Sequence, residues 1–261
     1  MRVLLQSAFL LHRRPYRDSS LLLEVFSQEY GRLGLVARGA ASPRSRLKGL
    51  LQPFVPLLLS WTGAGELATL TGAEDAGRPV PLPPHRVLSG LYVNELLVRL
   101  LPRLDPHPDL FAVYRDLLAE LVAAPGEEPP LRRFEKRLLE DLGYGLTLDR
   151  ESISGAPIVA EERYCYVLDR GPLAADRAAT GVPISGRGLL ALRDGTLTDP
   201  AVLGEVKRLT RAALAEQLRG RMLKTRELYR VKRETSPTPS CEGESERSSM
   251  PETGVGGNDK S

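Results

Sequence analysis

The chain has 261 residues, of which 42% are hydrophobic and 26% are charged, with a net charge of +3. This length can bury one large core or two smaller ones. No stretch contains the roughly eighteen uncharged apolar residues that a membrane span needs, and the N-terminus lacks the apolar segment of a signal peptide. Two cysteines, Cys165 and Cys241, are too few for a disulfide framework or a four-cysteine zinc site. These features predict a soluble, cytoplasmic protein.

Short apolar runs separated by turn residues predict five β-strands in residues 1–78. A short helix is expected between the third and fourth strands, in residues 45–51. Five strands with a helix at this place are typical of an OB-fold, a partly open barrel that often binds oligonucleotides. The expected strands are 7–12, 20–27, 32–37, 54–61 and 66–71.

Apolar residues at helical spacing predict a helical domain in residues 79–233, after a proline-rich linker at 78–84. Prolines stop or open the first helices of this domain, as is usual at helix boundaries. The expected helices are 86–101, 108–124 and 129–143.

The second half of the helical domain is less regular. Residues 146–181 show one strand pattern, at 163–168. Ser185 is expected to cap a short helix, and Asp199-Pro200 to open a long one. Residues 234–261 have hardly any apolar side chains and are predicted to be disordered. The expected fold class is therefore α+β and multidomain, with a barrel, a helical domain and a tail.

Positive charge is concentrated in two parts of the chain. Residues 1–55 carry nine Lys and Arg against three Asp and Glu, and residues 205–233 carry ten against three. Such clusters predict a surface that binds a polyanion, nucleic acid first of all. A solvated basic face explains either cluster alone about as well.

The candidate DNA contacts lie at predicted strand ends, in loops and on one side of the last helix. Aromatic residues make up only 5% of the chain, so binding is expected to depend on charge more than on base stacking. The stacking candidates, of which Phe26 and Phe54 fit a core better, are Tyr16, Phe26, Tyr30, Phe54 and Trp61. The residues predicted to contact DNA are Arg13, Arg14, Arg17, Arg32, Arg38, Arg44, Arg46, Lys48, Lys207, Arg208 and Arg211.

No catalytic constellation is visible in the sequence. His12, His85 and His107 have no cysteine or acidic residue at metal-ligand spacing. A phosphate-binding glycine loop, Gly-x-Ser-x-Gly and His-Glu-x-x-His are all missing. The sequence therefore predicts a protein that is not an enzyme and needs no cofactor.

Seven short motifs lie in order between residues 20 and 228. They are 20–32 (SLLLEVFS, then GR after three residues), 36–40 (VARGA), 50–54 (LLQPF), 90–97 (GLYVNELL), 131–135 (LRRFE), 142–145 (LGYG) and 223–228 (LKTREL). Together they resemble the RecO family of bacterial DNA repair and recombination mediators. The resemblance implies an OB-fold, a helical domain and strand annealing without turnover. It also implies that RecR and this protein help RecA onto DNA coated with single-stranded-DNA-binding protein.

Many members of that family carry a four-cysteine zinc site after the Leu-Gly-Tyr motif, beginning Cys-x-x-Cys-Gly. This chain has Glu151 and Ser154 in place of the first two cysteines. A carboxylate and a hydroxyl cannot replace two thiolates in such a site. We therefore expect no zinc.

The resemblance further implies that the helical domain binds the acidic C-terminal tail of single-stranded-DNA-binding protein. Such a tail needs cations beside an apolar slot. Arg132, Arg133 and Phe134, at the start of the third predicted helix, offer both and are the predicted partner site. The alternative is that Phe134 belongs to the core and the two arginines cover the surface.

The expected partners are single-stranded and double-stranded DNA, RecR, single-stranded-DNA-binding protein and, indirectly, RecA, with no membrane contact. The expected location is the cytoplasm, in association with the nucleoid. A different function class remains open, in which the protein is a helical adaptor whose barrel binds protein instead of DNA.

Overall fold

The computed structural model describes residues 1–77, 81–176, 180–225, 227 and 228. The predicted disordered tail, 234–261, lies outside the described residues, as does part of the predicted linker. Among the described residues, no helix is long and apolar enough to cross a membrane.

The first five strands close a barrel. The strands are β1 (Arg2–Tyr16), β2 (Ser20–Ser27), β3 (Gly31–Ala37), β4 (Pro56–Thr62) and β5 (Leu67–Asp75), and helix α1 (Leu47–Leu50) connects β3 to β4. Their order around the barrel is β1-β2-β3-β5-β4, with β3 and β5 parallel and the other neighbours antiparallel. This arrangement is the predicted OB-fold.

Strand β1 is longer than the predicted run of 7–12 because it pairs with two neighbours in succession. Its first half, from Arg2 to Phe9, pairs with β4, and its second half, from Ala8 to Tyr16, pairs with β2. The register with β2 shifts after Leu10, at a bulge. Bulges bend a strand and increase its twist, which helps a small barrel to close.

Six further elements and a small sheet follow the barrel. The helices are α2 (Val87–Leu100), α3 (Pro108–Ala123), α4 (Glu128–Asp141), α5 (Gly186–Asp194) and α6 (Pro200–Gln217), and a short 3-10 helix (Pro84–Arg86) precedes α2. The sheet contains β6 (Arg163–Val167), β7 (Gly171–Ala174) and β8 (Val182–Ser185), in the order β7-β6-β8.

Two predicted helix caps are confirmed. The Ser185 hydroxyl accepts a hydrogen bond from Gly188 N at 3.1 Å, at the start of α5. The Asp199 carboxylate accepts one from Ala201 N at 2.8 Å, at the start of α6. The predicted strand at 163–168 is confirmed as β6, but its two partner strands were not predicted. Strands β7 and β8 have four residues each, too few to show a period of two.

The barrel and the helices share one apolar interface. Phe9 of β1 contacts Phe111 and Tyr114 of α3, with ring centroids 5.3 and 5.1 Å apart. Phe26 of β2 contacts Phe111 at 5.4 Å. Phe26 is fully buried, so it belongs to the core and is not available to stack on a base.

A buried polar pair fixes the same interface. Asn94 of α2 donates from Nδ2 to the carbonyl oxygen of Leu11 in β1, at 2.9 Å. Its Oδ1 accepts from the Tyr114 hydroxyl at 2.7 Å. Burial raises the pKa of Tyr114, so the phenol stays protonated and remains a donor. The barrel is therefore held against α2 and α3 in one orientation.

A buried carboxylate connects three helices. Glu135 of α4 is fully buried. Its Oε1 accepts from the Tyr92 hydroxyl of α2 at 2.6 Å and pairs with Arg132 Nη2 at 2.9 Å. Its Oε2 accepts from the Thr210 hydroxyl of α6 at 2.5 Å. We call these four residues the Glu135 network.

The chain after α6 is anchored on α2. The Glu95 carboxylate accepts from Lys224 N at 2.9 Å, from Thr225 N at 3.0 Å and from the Thr225 hydroxyl at 2.8 Å. Leu223 beside them is 2% exposed and packs into the helical core. Burial alone would raise the pKa of Glu95. The hydrogen bonds from Thr225, Lys224 and Arg99 have the larger effect, so the pKa lies below the usual 4.5.

We expect this anchor to weaken in acid. A carboxylate whose pKa falls on folding stabilises the fold above its unfolded pKa, and the stabilisation is lost as the pH falls through the folded pKa. Glu95→Gln should lower the free energy of unfolding at pH 7 by about 1–2 kcal/mol, as for hydrogen bonds to a charged group. Urea denaturation between pH 3 and pH 7 should show the two proteins converging below pH 4.5. A difference that does not depend on pH would contradict this role.

Candidate nucleic-acid interface

Two basic segments meet at one end of the barrel. The β1–β2 turn lies beside the connection from β3 to β4, because Leu21 at the start of β2 pairs with Ala37 at the end of β3. Ala41 N also donates to the carbonyl oxygen of Ser19 at 2.9 Å. Cations from residues 14–17 and 38–48 are thus brought to the same end.

We call this group of six cations the basic end of the barrel. All six are exposed, and none forms an ion pair with any residue that the structure describes. The acidic residues Asp18, Glu74 and Asp75 lie at the same end, so the cations are in excess. The members of the basic end are Arg14, Arg17, Arg38, Arg44, Arg46 and Lys48.

The outer face of β1, β2 and β3 next to the basic end is open. Arg14 lies opposite Leu22, and Leu22 lies opposite Val36, so the three side chains form a row on the outer face. Tyr16 follows in the next row, and the Arg17 guanidinium lies 5.2 Å from its ring centroid. OB-folds bind oligonucleotides on the face of strands 2 and 3. The open face therefore offers cations next to a small apolar strip.

The other half of that face is covered by the segment between α2 and α3. Arg32 Nε donates to the carbonyl oxygen of Leu101 at 2.9 Å, and its Nη1 pairs with Glu24 at 3.1 Å. Arg103 pairs with the same carboxylate. Burial, followed by the charge of Arg103, lowers the pKa of Arg32. Arg32 joins the barrel to the helices, which corrects its prediction as a DNA contact.

Arg13 is also engaged inside the protein. Its Nη1 donates to the carbonyl oxygen of Leu51 at 2.8 Å, which fixes the segment after α1. The side chain is half-buried. Arg13 therefore supports the basic end, and its contact with DNA stays a prediction.

The predicted cations of α6 divide in the same way. Lys207 pairs with Glu128 at the start of α4. Arg208 and Arg211 are exposed, and neither forms an ion pair within the described part of the chain. Two of the three predicted residues on this helix are thus available to an external anion.

The predicted partner site is not presented at the surface as a unit. Arg132 and Phe134 are each 1% exposed, and Arg132 is part of the Glu135 network. Neither can contact an external peptide, which corrects their prediction as binding residues. Arg133 is accessible, with 39% of its side chain exposed, and pairs with Glu120.

Arg133 lines a cleft between α3, α4 and the end of α5, with a volume of about 410 Å³. The half-buried Val113 contributes apolar atoms to this cleft, which we call the α3–α4 cleft. Sequence reasoning missed three of its cations because they lie on other turns and another helix. These are Lys136, Arg137 and Arg193.

His107 has acidic neighbours that the sequence did not suggest. Its Nδ1 lies 2.5 Å from Asp141 Oδ2, and its Nε2 lies 3.5 Å from Asp105 Oδ2. Asp141 is the last residue of α4, 34 positions away, so its distance in the sequence hides the contact. The pairing ties the start of α3 to the end of α4.

The turn where the resemblance implies the first two zinc cysteines is held by a carboxylate. Glu151 Oε2 accepts from Ser154 N and from the Ser154 hydroxyl, both at 2.5 Å, and from Ile153 N at 3.2 Å. Cys165 is a half-buried free thiol. In the described part of the chain, no three His, Cys, Asp or Glu residues are grouped to hold a metal ion. The residues of this turn do not fit zinc.

Comparisons with known proteins agree with this architecture. Residues 1–77 match the family model "Recombination protein O N terminal", and residues 83–227 match "Recombination protein O C terminal". DNA repair protein RecO of Nitrosococcus oceani is 51% identical over 230 residues, which cover 87% of this chain and 93% of the relative. The Methylococcus capsulatus protein of the same name is 50% identical over 229 residues, covering 88% and 94%. The chain belongs to the RecO family of DNA repair proteins.

Proposed function

We propose that this protein binds single-stranded and double-stranded DNA, anneals complementary single strands and, with RecR, helps RecA onto DNA coated with single-stranded-DNA-binding protein. The basic end of the barrel is the observation that carries the proposal. It combines six exposed cations, which have no ion-pair partner in the part of the chain that the structure describes, with the open outer face of an OB-fold. DNA as the main partner would keep the protein at the nucleoid.

The composition of this surface suits the annealing of two strands better than the tight binding of one single strand. Two DNA strands repel each other through their phosphates, and exposed arginines on a protein reduce that repulsion. Proteins that retain single strands also stack many bases on aromatic rings. Of the five stacking candidates, Phe26 and Trp61 are buried, while Tyr16 lies beside the basic end. The bases are left largely free to pair.

Strand annealing tests the proposal directly. Two complementary oligonucleotides, one with a fluorophore and one with a quencher, are mixed with and without the protein. We expect faster quenching with the protein, and also when the strands are first coated with single-stranded-DNA-binding protein. Equal rates with and without the protein would contradict the proposal. No chemical turnover is needed, so the protein should act without a nucleotide or metal cofactor.

The α3–α4 cleft is the proposed site for the acidic C-terminal tail of single-stranded-DNA-binding protein. Apolar atoms of the half-buried Val113 line the cleft together with cations such as Arg133, the combination that an acidic peptide with an apolar end requires. The cations are partly neutralised, since Arg133 pairs with Glu120. The peptide therefore has to exchange one ion pair for another, and we expect modest affinity.

Arg133→Ala should weaken binding of the isolated tail peptide about fivefold, or about 1 kcal/mol, as for a partly exposed ion pair. Isothermal titration calorimetry measures this effect. Arg115→Ala is the matched control, because Arg115 is on the same helix as Glu120, is exposed and does not line the cleft. Equal losses in both variants, or none in either, would place the peptide elsewhere.

A further inference from the structure

A second cationic cleft, of about 230 Å³, lies at the ends of three helices. Arg99 belongs to the last turn of α2, Tyr144 follows α4, and Arg219 and Arg221 follow α6. We call it the helix-end cleft and define it by these four residues. It does not include any residue of the basic end of the barrel or of the α3–α4 cleft.

The side chains of this cleft are available to a ligand. Arg219 and Arg221 are exposed, and neither guanidinium has an ion-pair or hydrogen-bond partner among the described residues. Arg99 pairs with Glu95 at 3.1 Å and keeps 27% of its side chain exposed. Tyr144 is 48% exposed, which is high for an aromatic residue next to a helical core. The cleft therefore presents two free cations and an open ring.

The backbone places the two free arginines together. Arg219 has φ of 48°, in the left-handed region that a non-glycine residue rarely adopts, and Gly220 follows with φ of 77°. After this turn, Leu223 packs into the helical core. Arg219 directly follows Leu218, the C-cap of α6, at the position where helices commonly end with a left-handed residue.

We propose that the helix-end cleft binds one nucleotide unit of single-stranded DNA, with a phosphate on Arg219 and Arg221 and a base stacked on Tyr144. Exposed guanidinium groups bind phosphate oxygens, and an open aromatic ring accepts any base on its face. The volume is smaller than the roughly 300–1,000 Å³ of pockets that enclose a drug-sized ligand. The cleft thus fits part of a strand that passes over it.

The helix-end cleft is separate from the basic end of the barrel. Leu100 lines the cleft, and the next residue, Leu101, accepts a hydrogen bond from Arg32 at the start of β3. Arg38 of the basic end follows the other end of that strand. At about 3.3 Å per residue, six residues of strand place Arg32 and Arg38 roughly 20 Å apart. Two separate contacts allow one molecule to hold two strands, or two parts of one strand.

Cations near helix C-termini also stabilise the helix dipole. Stability must therefore be measured separately from binding. This inference rests on the proposed DNA-binding function, and a crosslinking experiment distinguishes a failure of one from a failure of the other.

The test uses the full chain and a twelve-nucleotide strand that carries 5-iododeoxyuridine. Ultraviolet light crosslinks this base to an aromatic ring stacked on it, and mass spectrometry of the digested complex identifies the peptide. We expect a crosslink at Tyr144 that Tyr144→Leu abolishes. The double variant Arg219→Ala and Arg221→Ala should reduce the yield of the Tyr144 crosslink at least fivefold, when the same fraction of each protein is bound to the strand. The charge-matched control is Arg170→Ala with Arg187→Ala, two exposed arginines that do not line the cleft.

The outcomes separate clearly. A Tyr144 crosslink that depends on Arg219 and Arg221, in variants that melt at the wild-type temperature, supports the proposal. If the strand binds but Tyr144 is not crosslinked, or if the double variant behaves as the control, the cleft is not a DNA site while the proposed function stands. If the protein does not bind the strand, both proposals are overturned.

Discussion

Glu135→Leu should lower the free energy of unfolding by about 3–5 kcal/mol, the expected result of breaking a buried ion pair from one side. The Glu135 carboxylate is fully buried and is the acceptor for Arg132, Tyr92 and Thr210. Its removal leaves the buried Arg132 guanidinium with only the more distant Glu128 carboxylate, at 3.8 Å, and leaves two buried hydroxyls without their acceptor. Urea denaturation followed by circular dichroism measures the change.

The double variant Arg132→Met with Glu135→Leu is the control for this prediction. It should be several kcal/mol more stable than the single variant, because two apolar side chains that replace a buried ion pair are often neutral or stabilising, with gains of about 1–4 kcal/mol. Arg132 favours this result, since its Nε and Nη1 groups have no hydrogen-bond acceptor among the described residues. If the double variant is as unstable as Glu135→Leu, the loss arises from packing and not from the buried charge of Arg132.

The Glu135 network also affects the surface of α6. Arg211, the residue after Thr210, is exposed. The hydrogen bond from Thr210 to Glu135 fixes the rotation of α6 against α4. A loosened network should therefore reduce the contribution of Arg208 and Arg211 to DNA binding, even at temperatures where the protein stays folded.

The barrel could be predicted from the sequence because its signals are local. Each strand is a short apolar run between turn residues, and the helix between β3 and β4 follows from one amphipathic segment. The caps of α5 and α6, at Ser185 and Asp199, are equally local and were predicted. Strands β7 and β8 were missed because four residues carry too little periodicity.

The site was harder to predict because burial of a charged residue depends on residues far away in the sequence. Arg32 resembles the exposed arginines of the basic end, but its acceptors Glu24 and Leu101 come from another strand and another domain. Arg132 had one local signal, Glu135 three positions later on the same helix. An arginine and a glutamate at this spacing next to Phe134 indicate a buried pair as readily as a surface site.

Replacing Arg17, Arg38, Arg44 and Lys48 by alanine should weaken single-stranded DNA binding roughly 30- to 1,000-fold at low salt, at about 0.5–1 kcal/mol for each exposed contact. These four residues belong to the basic end and have no acidic partner among the described residues. The reduction should be similar for all base sequences, because phosphate contacts carry no sequence information. Fluorescence anisotropy with a labelled oligonucleotide measures it.

The salt dependence distinguishes this role from the adaptor alternative. Removing one cation that binds a phosphate should flatten the slope of log affinity against log salt by about 0.7 units for a single strand, and removing four should flatten it by about three units. The charge-matched control replaces Arg115, Arg150, Arg170 and Arg187, which are exposed and lie outside the barrel. Arg32→Ala should lower stability and leave the slope unchanged, because Arg32 is bound to Glu24 and Leu101. If the basic-end variant keeps the wild-type slope while folded, DNA does not bind at this end, and a barrel that binds protein becomes the better explanation.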